Sequence, residues 1–417
     1  MAQLSDDCFA FGGELMRSEA ALAELRQRLC PVVEPEDVPL RAATGRILAA
    51  DVTAERAVPP HDNAAVDGYA VRHTDLADDG ETRLGIGGRI AAGHPLGHDT
   101  RPGEAYRIFT GAPMPDGPDT VLMQEDCRVE NGSVIVPPGI ERGANRRFAG
   151  EDIEAGSVIL KAGHRLRAQD IGLAASVGRA RLSVYRRLRV ALFSSGDEVR
   201  DIGGALPPGC IFDANRYSVA ALLEGLGCEV DDLGILADSA DAIHDALAAA
   251  AGEHDVVMTS AGVSTGDEDH VRGAVEALGR IHFWRIAIRP GRPLAFGQID
   301  GTPFIGLPGN PVAVMVTFMR FARPALLLLG GGTNIEPALF RVPAAFGYDK
   351  KAGRREWLRA SLAPGADGAL QAEKYARGGA GILSSMVAAD GLVELAEELT
   401  RIEPGSMVDF LPFSEVS

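Results

Sequence analysis

Residues 255–271 read DVVMTSAGVSTGDEDHV, and this stretch decides the fold. Asp255–Thr259 is a short apolar run of strand type, Ser260 to Asp269 is a turn of small and acidic residues, and Val271, Ala274, Val275 and Leu278 then recur at helical spacing. A strand that ends in small residues and opens a helix is the βα step of an open α/β sheet. Upstream, Val190–Phe193 is a strand and Asn215–Leu226 a helix with Val219, Leu222, Leu223 and Leu226 on one face. Glu229–Leu236 is the next strand and Ser239–Ala251 the next helix. Repeated β-α-β units predict a three-layer α/β/α domain with a mostly parallel sheet. Its ligands would bind beyond the carboxyl ends of the strands.

Outside 185–329 the texture changes. Glu14–Leu29 carries Leu15, Leu22, Leu25 and Leu29 at helical spacing, and Pro31–Pro39 ends that helix. From Asp51 to Pro138 short strands alternate with Gly/Pro turns. Val121–Val129 and Ser133–Val136 flank Asn131-Gly132, a dipeptide suited to a type I′ hairpin turn. Residues 59–70, PPHDNAAVDGYA, read as too irregular for a helix and too polar for a core strand, which leaves an interdomain loop. After Gly330-Gly331-Gly332 the chain is β-like again, with Glu356–Leu362 and Leu370–Lys374 bracketing a turn and further strands at Leu392–Leu395 and Met407–Phe410.

The chain has 417 residues and a net charge of −17, which repels nucleic acid and anionic membrane, so neither is expected as a partner. Five scattered cysteines without a C-x-x-C pair argue against a disulfide framework or structural zinc and for a reducing cytoplasm. The acidic start, Met1–Asp7, lacks the pattern of a signal peptide. Ala325–Leu329 reads as too short an apolar tract to span a bilayer.

Four stretches carry chemistry. In 260–269, small residues such as Ser260, Gly262, Ser264 and Gly266 let backbone N–H groups approach a phosphate at a helix start. A capped βα turn with Thr265 or Asp267 as N-cap is the bland account. Asp267, Glu268 and Asp269 exceed what a cap needs, and beside a phosphate they call for a hard cation such as Mg²⁺. From Ala277 to Ile299 there is no acidic residue, but there are Arg280, Arg285, Arg289 and Arg292, a local inversion of sign. Arg289-Pro290-Gly291-Arg292-Pro293 sets two guanidiniums on a rigid turn that can bind an oxyanion, or simply form a solvated basic loop. Gly306-Leu307-Pro308-Gly309-Asn310-Pro311 starts the apolar helix Val312–Leu329, with Asn310 as N-cap and Pro311 at N1. Finally Glu198 in Ser194-Ser195-Gly196-Asp197-Glu198, together with Asp213 and Asp238, puts acids at strand or loop ends, although Asp238 could only cap its helix. The G-x-G-x-x-G, Walker A and H-E-x-x-H patterns do not occur, and the nine histidines do not cluster.

These motifs resemble the molybdopterin molybdenumtransferase family (MoeA and the gephyrin E domain) nearly end to end. The resemblance rests on PPHDNAAVDGYAV at 59–71, RIFTGAPMPDGPDTVLMQED at 107–126, RRFAGEDI at 146–153, SSGDE at 194–198 and IFDANR at 211–216. It continues through SAGVSTGDEDHV at 260–271, RPGRP at 289–293, GLPGNP at 306–311, GRREWLRA at 353–360 and ILSSM at 382–386. Ala64, Val66, Ala261 and Ala313 depart from the common pattern, and arginines stand where lysines are frequent.

The resemblance implies insertion of molybdate into adenylylated molybdopterin, with release of AMP in a Mg²⁺-dependent step. It implies that Arg289, Arg292 and Pro293 hold molybdate, with Arg359 of the GRREWLRA stretch and Ser384 or Ser385. Glu198, Asp238 and Asp269 would be the acids near substrate, Asp238 and Asp269 carrying Mg²⁺. Ser260, Gly262, Ser264, Gly266, Asp213, Arg285, Pro308 and Pro311 would line the substrate. Asp62, Thr110 and Asp152 would complete the site across a homodimer interface. The implied layout is a discontinuous linking and dimerisation domain (1–48 and 140–184), an inserted β-rich domain (49–139), the α/β molybdopterin-binding domain (185–329) and a small barrel-like C-terminal β domain (333–417). The adenylyltransferase of the preceding step and molybdoenzyme chaperones are the implied partners. Two other readings stand beside this one: a noncatalytic molybdopterin-binding dimeric scaffold or carrier, and a molybdopterin adenylyltransferase sharing the α/β domain.

Overall fold

A computed structural model describes residues 16–237, 239–260, 270–291, 293–366 and 368–416. Of the expected site residues, Asp238, Gly262, Ser264, Gly266, Asp269 and Arg292 lie outside the described residues.

The α/β region is built on six strands: β1 (Arg189–Ser195), β2 (Glu229–Leu236), β3 (Val256–Ser260), β4 (Gly279–Arg285), β5 (Pro293–Ile299) and β6 (Thr302–Leu307). Their order is β2-β1-β3-β6-β5-β4. The β1–β2, β1–β3 and β3–β6 pairs are parallel, whereas β5 runs antiparallel to both its neighbours. The sheet is therefore mixed at the edge that carries the basic turn. The antiparallel strand follows from the short connections on either side of it, which leave no room for a crossover helix.

Alternation along β1 explains the three layers. Val190 and Leu192 point into a core shared with the helices Ser18–Arg28, Ala214–Leu226 and Pro311–Leu329. Ala191 and Phe193 point into a second core beneath the helices Ala240–Glu253 and His270–Leu278. Successive strand residues face opposite ways, so a strand covered on both faces must be apolar throughout.

Pro311–Leu329 is the only helix among the described residues long and apolar enough to cross a membrane, and 83% of its apolar window is buried inside the protein. Ala325–Leu329 is the end of this 19-residue core helix, which agrees with the apolar helix expected over Val312–Leu329. The helix widens into a π turn at Phe318–Ala322, just before Pro324. Proline has no N–H to return to the carbonyl four residues back, and the wider turn absorbs that gap.

The N-terminal part forms a six-stranded sheet whose order is Thr120–Met123, Gly68–Val71, Glu104–Ile108, Thr82–Ile90, Ser133–Val136 and Arg128–Glu130. Asn131 (φ 47°) and Gly132 (φ 76°) make the expected hairpin turn. The strand expected over Val121–Val129 is interrupted by a 3₁₀ turn at Gln124–Asp126, where three polar side chains leave the sheet. The interdomain loop expected at 59–70 is also corrected. Asn63–Ala64 pairs with Arg146–Arg147, and Gly68–Val71 is a fully buried strand between two partners. The polarity of 59–67 masked four residues with no charge at all.

Pro35–Pro39 pairs with Arg181–Tyr185, and Val52–Thr53 with Val158–Leu160, around a separate small core. In the C-terminal part, Arg355–Pro364, Gly391–Leu395, Met407–Pro412 and Phe340–Pro343 pair in that order, with Leu370–Lys374 on the outer side of Arg355–Pro364. Ala344 bridges Ala372, so the two ends of this sheet come together as a small barrel would require. Ile288–Arg289, which follows β4, pairs in parallel with Arg355–Glu356 and ties the basic turn of the α/β region to this sheet.

Candidate active site

Register collects one end of the site. Ser195 lies opposite Leu236, Ser194 opposite Ser260, Ser260 opposite Leu307, and Arg285 opposite Pro293. The SSGDE loop, the end of β3, the GLPGNP turn and the Arg285–Pro293 connection therefore share the carboxyl edge of the parallel strands. This is where an open α/β sheet takes its ligands. Ser194 and Ser260 are buried, their hydroxyls 3.2 Å apart. Glu198 is exposed and its carboxylate folds over Gly196: a Cβ there would lie 2.7 Å from Oε2. The half-buried Pro308 and Pro311 flank Gly309, whose carbonyl accepts from Asn215 Nδ2 at 2.8 Å. Asn310 sits at the N-cap without a side-chain cap bond, and Val312 N donates to Ala380 O at 2.9 Å. The helix start is thus held by the Asn215 side chain on one side and by main chain on the other.

Asp213 occupies the same edge but faces inward. It caps Ala214–Leu226 by accepting from Arg216 N at 3.1 Å, and its other oxygen takes Arg216 Nε at 3.0 Å. Arg216 is buried; burial works against its charge, but Asp232 and Asp213 more than compensate and raise its pKa. The expected substrate residue Asp213 thus has both oxygens engaged in the fold.

The other end of the site is basic. Arg289 is exposed, 3.6 Å from the buried carboxylate of Glu356, which also accepts the Tyr348 hydroxyl at 2.7 Å. Arg285 is also exposed, and Met16 N donates to its carbonyl at 2.9 Å. Arg359 is buried: its Nε donates to Ser385 Oγ at 3.0 Å, and its Nη2 to the carbonyls of Arg377 and Gly379 at 3.3 and 3.2 Å. Burial, reinforced by the nearby Arg289 charge, lowers the Arg359 pKa. Two cations held close together without a shared counter-ion suit an oxyanion. Of the neighbouring arginines, Arg355 is spent on Glu19, Glu394 and Glu397. Ser384 is exposed at the start of a short helix, whereas Ser385 is buried and donates to Ile382 O at 2.6 Å.

Asp62, Thr110 and Asp152 belong to the N-terminal part, and their hydrogen bonds among the described residues stay within 58–152. Asp62 accepts from Ala149 N at 2.7 Å and pairs with Arg146; that main-chain bond first, then the guanidinium, lowers its pKa. Thr110 donates N–H and hydroxyl to Asp67 at 2.8 and 2.7 Å, which lowers the Asp67 pKa. Asp152 is exposed, and its N–H bonds Val58 O at 3.0 Å. Sequence reasoning missed Asp67, Arg146, Glu356 and Tyr348. The first three lie inside quoted motifs, so ion-pair chemistry could have found them; Tyr348 carries no local signal. Among the described residues no group of three or more His, Cys, Asp or Glu side chains could hold a metal ion.

An α/β sheet edge carrying Ser194, Ser195 and Ser260, joined to two neighbouring arginines from a second sheet, defines a protein of the fused α/β and β class. Family models described as the MoeA N-terminal region (domain I and II), a probable molybdopterin binding domain and the MoeA C-terminal region (domain IV) match residues 16–178, 191–327 and 341–413. The chain is 35% identical over 404 residues to the molybdopterin molybdenumtransferase of Haemophilus influenzae, covering 96% of this chain and 100% of that protein. It is 40% identical over 317 residues to that of a Nostoc species, covering 74% and 73%. The crystal structure of the molybdopterin biosynthesis MoeA protein of Pyrococcus horikoshii superposes with a TM-score of 0.81 at 28% identity, covering 96% and 100%. The chain belongs to the molybdopterin molybdenumtransferase family, transferases of molybdenum cofactor biosynthesis.

Proposed function

We propose that this protein inserts molybdate into adenylylated molybdopterin and releases AMP. The observation that carries the reading is the placement of Arg289 and Arg359 beside the edge formed by Ser194, Ser260 and the GLPGNP turn. In this reading the edge takes the pyrophosphate of the substrate on main-chain N–H groups around Ser260, Gly262, Ser264 and Gly266, near Pro308 and Pro311. Arg285 lines the substrate beside it, and Arg289, Arg292 and Pro293, with Arg359 and Ser384 or Ser385, hold the molybdate dianion. Neutralising both anions lets the dithiolene sulfurs approach molybdenum. Glu198, Asp238 and Asp269 provide hard oxygen ligands and negative charge at the phosphate end. Mg²⁺ held by Asp238 and Asp269 would supply charge neutralisation on the phosphoanhydride.

The active form in this proposal is a cytoplasmic homodimer. Asp62, Thr110 and Asp152, whose hydrogen bonds among the described residues stay within 58–152, would close the partner's site. The domain limits that go with it are 1–48 with 140–184, 49–139, 185–329 and 333–417. Substrate would arrive from the adenylyltransferase and product leave to molybdoenzyme chaperones.

The test is AMP release by the purified protein from molybdopterin-adenylate, with and without molybdate and Mg²⁺. Release only when both are present is expected. AMP release indifferent to molybdate would assign the protein a different reaction.

A further inference from the structure

At the amino end of β1 and β2, the far side of the sheet from the candidate active site, the chain gathers arginines that the proposed reaction does not use. Both strands start there beside the end of the helix Ala214–Leu226, whose cap Gly227 has φ 94°. Gly45, Arg46, Arg187, Gly227, Cys228 and Gly330 are among the residues lining a cleft of about 380 Å³, open to solvent. Its walls come from stretches distant in sequence: 45–47, 185–188 with 226–228, and the end of the core helix with Gly330.

Charge around this cleft is one-sided. Arg186 is answered by Asp255, to which it donates at 2.7 and 2.8 Å, and the buried Arg46 pairs with Glu36. Arg165, Arg187 and Arg323 have no carboxylate partner among the described residues. Arg187 Nη1 donates to Gly227 O at 2.8 Å. Arg165 stands against the wall of the cleft, with Nε on Gly45 O at 3.3 Å and Nη2 on Gly225 O at 2.8 Å. Arg323 Nη1 donates to Ile335 O at 3.2 Å. Burial first, and beyond it the charge of Arg187, lowers the Arg165 pKa; burial and the Arg165 charge take that of Arg323 down to about 10. Arginines on the last carbonyls of a helix are in themselves an ordinary C-terminal arrangement. That arrangement uses one nitrogen of Arg187. Its Nε and Nη2, like Nε and Nη1 of Arg46, have no acceptor among the described residues, and none of these atoms is sealed from solvent.

We propose that this cleft is a second anion site, separate from the active site, which takes one small doubly charged oxyanion of the phosphate or sulfate class. Arg187 is its principal ligand, with Arg46 of the lining and Arg165 against the wall. A tetrahedral oxyanion offers acceptors in several directions at once, which suits guanidinium groups arriving from separate stretches. It also relieves the repulsion between cations that the fold holds close without enough counter-charge. Its ligands belong to different stretches, so the bound ion ties 46, 165 and 187 together, and its binding adds to the stability of the folded chain. The site stands independently of the reaction proposed for the opposite edge.

The experiment uses the full-length protein, with sodium sulfate as the calorimetric probe and sodium chloride of equal ionic strength as the reference. Arg187→Gln should lose one sulfate-binding event per chain, or weaken it at least about tenfold, while binding at the Arg289 end persists. Sulfate should raise the unfolding temperature of the unmodified protein beyond the chloride reference, and that extra rise should be absent from the variant. Crystals soaked in selenate locate the ion directly: an anomalous peak within hydrogen-bond distance of Arg187 Nε or Nη2 is expected. Inorganic phosphate and AMP, as competitors for the Arg187-dependent event, separate the two sources of the anion. Displacement by phosphate alone supports a free ion, and displacement by AMP as well supports phosphomonoesters at the same arginines. Chloride matching sulfate reduces the effect to screening and overturns the site. Selenate absent from the cleft, or unchanged sulfate binding in Arg187→Gln, overturns it too and leaves metal insertion standing. If that variant does not fold, the selenate crystals of the unmodified protein decide.

Discussion

The hydroxyls of Ser194 and Ser260 meet at 3.2 Å where two parallel strands run out side by side at the candidate site. Both side chains are buried, so each is the other's answer to desolvation. Replacing either by alanine orphans its partner and should cost about 1 kcal/mol. Replacing both removes the problem, so the double variant should lose less than the sum of the singles by roughly 0.5–1.5 kcal/mol. Chemical unfolding of the four proteins of this cycle measures the coupling. Strictly additive losses would mean that the two hydroxyls do not depend on each other.

Asp213 should prove more important to stability than to ligand contact. Its carboxylate both caps Ala214–Leu226 and neutralises the buried Arg216. Asp213→Ala removes cap and charge together and should cost about 2–4 kcal/mol. Asp213→Asn keeps a cap acceptor and should cost measurably less. Thermal unfolding distinguishes them, and equal melting temperatures for the two variants would contradict a capping role.

The same residue shows what the sequence could and could not reveal. Its position after a strand and before a helix was legible, because a cap and a helical apolar period are local patterns. That its oxygens face Arg216 instead of a ligand was not, since Asp232 comes from a strand that only the fold brings alongside. The α/β region was readable strand by strand for a related reason: doubly covered strands such as Val190–Phe193 are continuously apolar. The reversed direction of Pro293–Ile299 depends on pairing, which no local period encodes. At the site, the arginine run was visible as an absence of acids, whereas Glu356 and Tyr348 gained meaning only when Arg289 was seen beside them.

Gly68 lies in a strand that the sequence disguised as loop, and its reason is close approach. A Cβ on Gly68 would stand 1.7 Å from the carbonyl oxygen of Leu122 on the neighbouring strand. Backbone cannot yield as a flexible side chain can, so Gly68→Ala should cost about 3 kcal/mol. Hydrogen exchange should show the amides of Gly68–Val71 losing protection while those of Val190–Phe193 keep theirs. Full protection at Tyr69 and Ala70 in the variant would mean that the strand tolerates the methyl group.

Asp170 makes stability depend on pH in the acid range. Burial opposes its charge, yet the Arg167 guanidinium, His164 at 2.8 Å and the Arg167 N–H hold its pKa down at about 2, below the ordinary 3.8. A folded-state pKa below the unfolded one means that the folded protein binds the proton less readily. The stabilisation is therefore complete above about pH 4 and is lost as the pH falls through about 2; it amounts to roughly 2 kcal/mol. Asp170→Asn removes the titrating group and should flatten that part of the profile while lowering stability at neutral pH. Denaturant midpoints taken from neutral pH into the acid range, for both proteins, provide the check. Parallel curves across that window would assign the acid sensitivity to other carboxylates.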